Sequence, residues 1–133
     1  MRRGITSGVA LLFVVALVTA GCGSSKPEFC SKTDDLQASL DTLKSDVTSA
    51  NFSAIKTDAQ TVKADADAVA SSAKSDFPSE TSAVESSVSS LSAAVQSLPS
   101  SPSASDLARV ASDANAVVTA LNGFKSATSS KCD

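Results

Sequence analysis

The side chains that could do chemistry in this chain are three cysteines (Cys22, Cys30 and Cys132), 14 carboxylates and many serine hydroxyls, with no histidine at all. A serine or cysteine nucleophile needs a base held beside it, and without imidazole the usual Ser-His-Asp and Cys-His arrangements cannot be assembled. Asp58, Asp65 and Asp67, with Asp34 and Asp35, are the acidic residues that could be imagined around a cation. Asp58 and Asp65 stand one heptad apart with Lys56 and Lys63 nearby, the pattern of an outward-facing, solvated charged surface. The sequence contains no Cys-x-x-Cys pair, glycine-rich phosphate loop, calcium loop or aromatic stacking platform. It therefore assigns no catalytic residue and no metal ligand, and no cofactor is expected. The chain reads as a non-enzyme.

The chain is 133 residues long, 42% apolar and 19% charged, with a net charge of −3. That length holds one ordinary domain. Its dispersed, mildly acidic charge lacks the clustered Lys and Arg that a nucleic-acid backbone demands, so no nucleic-acid partner is expected. Charge alone would not draw it to anionic headgroups either.

The N-terminus carries a targeting segment. Arg2 and Arg3 form a basic start, Val9 to Val18 is an unbroken apolar run, and Val18-Thr19-Ala20-Gly21-Cys22 is a region of small residues suited to cleavage. The apolar run is about half the ~20 residues a membrane-spanning helix needs, so it reads as an export signal. Thr19-Ala20-Gly21-Cys22, followed by Gly23-Ser24-Ser25, resembles the lipobox of bacterial lipoproteins, with Thr19 where Leu is usual. The resemblance covers only this N-terminal stretch. It implies diacylglycerol on the Cys22 thiol and cleavage before Cys22. Attachment would then be to a membrane through acyl chains, at the extracytoplasmic face of the cell membrane or at an outer membrane in an organism that has one. Val18-Thr19-Ala20 also satisfies the rule for an ordinary cut after Ala20.

Lipidation of Cys22 changes the cysteine count. It consumes the odd thiol and leaves Cys30 and Cys132 as a pair, which in an oxidising compartment would form a disulfide closing a loop of about 100 residues. The chain then divides into a signal peptide over 1–21, a lipidated flexible tether over 22–29 and a helical domain over 30–133.

That domain is rich in Ala, Ser, Asp, Lys, Val and Leu, and its apolar residues keep helical register. Leu36, Leu40, Leu43 and Val47 form one stripe, and Ile55, Ala59, Val62, Ala66, Val69 and Ala73 a second. Val84, Val88, Leu91, Val95 and Leu98 form a third, and Leu107, Val110, Ala114, Val117, Leu121 and Phe124 a fourth. The register slips at Thr48 to Asn51 and again at Asp76-Phe77-Pro78, and Pro99 and Pro102 interrupt the chain between the third and fourth stripes. Ser31 to Asp34 and Ser103 to Asp106 read as capping sequences; Asn51 or Ser49 can cap the second helix, and Pro78 suits a first turn or kinks a continuous helix. Gly123 either ends the last helix or lies within it.

Four amphipathic helices on short loops pack as an all-α, antiparallel up-down four-helix bundle. An even helix count returns the chain to its starting end, so topology brings Cys30 to Cys132. Alanine-rich seams bury little area, which makes the disulfide staple important. The expectation is a lipid-anchored helical envelope protein, an interaction or structural module with a protein partner. The alternative is a carrier holding a small apolar ligand or lipid between its helices.

Overall fold

The computed structural model describes residues 26–133. The segments expected from sequence to be a signal peptide and a lipobox, with Cys22, lie outside the described residues. Four helices follow one another: α1 (Glu28–Thr48), α2 (Phe52–Ala73), α3 (Pro78–Gln96) and α4 (Ala104–Cys132). Each packs against two neighbours, α1 on α2, α2 on α3, α3 on α4 and α4 back on α1, which closes an up-down antiparallel bundle. The breaks between helices fall where the stripe register slips.

The stripes form the core. Leu36, Leu40 and Leu43 from α1 are fully enclosed, as are Ile55, Val62 and Val69 from α2 and Val110, Val117, Leu121 and Phe124 from α4. Val84, Val88 and Leu91 supply the α3 face. Ala59, Ala66, Ala73 and Ala114 are buried in the same core. Leu98 and Leu107 pack at the margin.

Each helix start is decided by different physics. Ser103 caps α4: its hydroxyl accepts from the Asp106 backbone N–H, and Asp106 Oδ2 accepts from the Ser103 backbone N–H at 2.8 Å, a complete capping box. Those Ser103 hydrogen bonds hold the Asp106 carboxyl below its ordinary pKa. Pro78 occupies the first turn of α3, which is a separate helix rather than the far side of a kink. Gly123 lies inside α4, which continues to Cys132.

α1 departs from expectation. It begins at Glu28, not after a Ser31 to Asp34 cap, and has no side-chain cap at Pro27. Ser31 and Thr33 instead donate their hydroxyls to the Glu28 and Phe29 carbonyls one turn back. Phe29, assigned from sequence to the flexible tether, is only 2% exposed. Burying its ring contributes about 2–3 kcal/mol, more than the ~1 kcal/mol of a missing cap.

Candidate functional site

The disulfide lies at the end of the bundle where the chain enters and leaves. Cys30 and Cys132 are bonded across a separation of 102 residues, with their Cα atoms 5.6 Å apart. Directly behind them, Phe29, Phe77 and Phe124 meet edge to face, with centroid distances of 5.6, 5.9 and 6.0 Å. Each ring belongs to the same local unit: Phe29 to Thr33, Phe77 to Thr81 and Phe124 to Thr128 all read Phe-x-Ser-x-Thr. In all three units the threonine is buried and donates its hydroxyl to the carbonyl of its own phenylalanine. The buried hydroxyls are thereby satisfied within their own helices, and the rings are free to close the bundle end. Neither the ring triad nor its repeated unit follows from the leucine and valine stripes.

A cleft of about 510 Å³ opens beside the disulfide, with Lys26, Ser31, Asp34, Lys125 and Asp133 in its walls. It is an open surface cleft with charged groups of both signs among its lining residues. A second surface hollow, about 530 Å³ in volume, lies between α2 and α3 and includes Lys63, Asp67 and Glu85. A carrier of an apolar ligand would need an enclosed, apolar chamber.

The acidic residues noted from sequence are not gathered into one place. Asp67 pairs with Lys63 at 3.0 Å on an exposed turn, and Asp34 stands at the disulfide cleft. Asp58 and Asp65 do not face outward as a solvated pair. Both flank the apolar stripe of α2 on the side that meets α1 and are half-buried there. Asp65 accepts a hydrogen bond from Ser39 of α1, and Asp58 meets Asp46 of α1, a residue the sequence does not single out. A residue one step before each core position falls at the seam rather than on the outer face, which accounts for the difference. Among the described residues no group of three or more Cys, Asp or Glu is placed to hold a metal ion.

The far end of the bundle is built from the α1–α2 and α3–α4 connections. Ala50 adopts φ 54°, left-handed backbone in which alanine is strained. The Asn51 N–H bonds the Asp46 carbonyl and the Ala50 N–H the Val47 carbonyl, so the turn is a Schellman termination of α1 with alanine where glycine is favoured. Asn51 occupies the N-cap of α2 without capping it. Its Nδ2 donates to Asp46 Oδ1 at 3.2 Å, and its Oδ1 accepts from the Ser53 hydroxyl. Phe52 is the exposed large apolar residue of the described chain, next to Leu98, Pro99 and Pro102 around a shallow hollow. No helix among the described residues is long and apolar enough to cross a membrane. No family model, characterised protein or solved structure matches the chain, so its function is read from its own residues and geometry.

Proposed function

We propose that this chain is a lipid-anchored helical module of a bacterial envelope, held through acyl chains on Cys22 at the extracytoplasmic face of a membrane and acting by interaction with a protein partner rather than by catalysis. The observation that carries the reading is where the chain enters the fold. α1 begins at Glu28, six residues after Cys22, at the end stapled by Cys30–Cys132. A tether so short keeps that end close to the bilayer. The opposite end, with Phe52 and the Ser/Pro loop from Ser97 to Ser103, then projects outward and is the surface available to a partner. The lipobox resemblance at Thr19 to Cys22 and the pairing of the remaining two cysteines support the same reading. The lack of histidine speaks against acid–base chemistry near neutrality.

Intact-mass analysis of the protein extracted from native membranes tests it. The expected species starts at Cys22, carries diacylglycerol on that residue and lacks two hydrogens through the Cys30–Cys132 bond. A species starting at Gly21 with no acyl mass would overturn the anchor. Cys22→Ala is expected to move the protein from the membrane fraction to the soluble one, and an unchanged distribution would contradict the reading.

A further inference from the structure

Asp58 and Asp46 place two carboxyl groups against each other at the seam between α1 and α2, close to the turn that joins these helices. Asp58 Oδ2 is closed off from solvent and receives no donor. The one hydrogen-bond donor that reaches the pair through a side chain is Asn51 Nδ2, which goes to Asp46 Oδ1 and belongs to the turn itself. Two ionised carboxylates would therefore stand in contact at a partly dehydrated seam with one amide between them. With one proton, Asp58 can donate to Asp46, and both groups are satisfied.

Among the described residues no cation faces the pair. From α1 the charged group that meets Asp58 is Asp46. α3 packs on the other flank of α2, and its stretch level with Asp58, Ser89 to Gln96, carries no charge. Lys56 of α2 lines the groove on that α3 side. α4 lies diagonally across the bundle and makes no close approach to α2.

We infer that Asp46 and Asp58 form a proton-operated latch on the distal end of the α1–α2 hairpin: a shared proton holds the seam and its turn closed, and loss of that proton sets two carboxylates against each other and loosens the turn. Burial first, and then the hydrogen bond and charge of Asp46, push the Asp58 carboxyl up to about 6. The folded protein thus binds this proton more tightly than the unfolded chain. The stabilisation is fully present below about pH 4 and is lost as the pH rises through about 6. The strained Ala50 turn beside the pair is the element least able to resist the repulsion. For an exported protein the latch would respond to the acidity of its surroundings, and it would do so at the end that faces a partner.

Side-chain carboxyl NMR and amide hydrogen exchange on the full disulfide-bonded protein, from pH 4 to 8, test the latch. Asp58 is expected to titrate near pH 6, and the amides from Ala50 to Ile55 to shift with the same midpoint. Their opening, corrected for intrinsic exchange, should rise severalfold between pH 5 and 7.5, since a midpoint near 6 allows at most about tenfold over that window and solvent at the partly buried pair reduces it. Asp58→Asn should remove that dependence, and Asp46→Asn should lower the Asp58 midpoint by the part that Asp46 contributes, leaving the part due to burial, while keeping the fold. The proposal is overturned if Asp58 titrates below pH 5, if the turn amides ignore the titration, or if both variants keep the wild-type response. Saturation of the pair by micromolar calcium at pH 7 would also overturn it, in favour of a cation site.

Discussion

At the end where the chain enters and leaves, a disulfide across 102 residues, three rings in mutual edge contact and three buried threonines bonded within their own helices add rigidity, although α1 and α3 begin there without side-chain caps. The opposite end has the Ser103–Asp106 capping box of α4 but also collects features that cost stability. Ala50 sits in left-handed backbone, Asn51 leaves the N-cap of α2 unbonded, and Asp46 crowds Asp58. One apolar core runs between them, so the contrast arises at the ends rather than from packing along the stripes. It fits a protein held at one end and engaged at the other. Strain and unpaired charge are tolerated where a chain must respond, because rigidity is supplied elsewhere.

The largest test of this contrast is the staple. Replacing Cys30 and Cys132 by serine frees a loop whose closure is worth ~4–5 kcal/mol, and the melting temperature should fall by roughly 20 °C or more. Unchanged melting would mean that the bundle does not depend on this bond. Next come the phenylalanines. Phe124→Ala should cost ~3–5 kcal/mol in chemical denaturation, as a fully enclosed ring does. Phe52→Ala should cost less than about 1 kcal/mol, because that ring is 36% exposed. Equal costs would erase the difference between the ends. The smallest effect is a pair of opposite exchanges. Ala50→Gly should stabilise by about 0.5–1 kcal/mol by relieving the left-handed residue. Gly123→Ala should do the same, since a Cβ at Gly123 meets nothing within 4 Å on a helix that continues past it.

Much of this architecture is legible in the order of the residues, for a physical reason. The stripes from Leu36 to Val47 and from Leu107 to Phe124 repeat at helical spacing, and only a helix puts them on one face. The register slips and prolines locate the turns, and an even helix count brings Cys30 to Cys132. The aromatic end is harder to see. Phe29 stands in an apparent tether and Phe77 in an apparent loop, both outside any stripe, although the threefold Phe-x-Ser-x-Thr spelling is there as a signal. Spacing alone misplaces Asp58 and Asp65, because helical periodicity separates buried from exposed positions sharply only at the centre of each face. A flanking residue takes its surroundings from the neighbouring helix, here Asp46 and Ser39 of α1. Ala50 gives no warning, since nothing in an alanine signals left-handed backbone.

Stability is expected to concentrate at the stapled end and to relax at the other. Native-state amide hydrogen exchange at pH 7 on the disulfide-bonded protein measures it residue by residue. Amides from Leu36 to Leu40 and from Leu121 to Thr128 should exchange only through global unfolding, and those from Asn51 to Asp58 through a local opening of much lower free energy. Uniform protection along all four helices, or a gradient that runs the other way, would contradict the account.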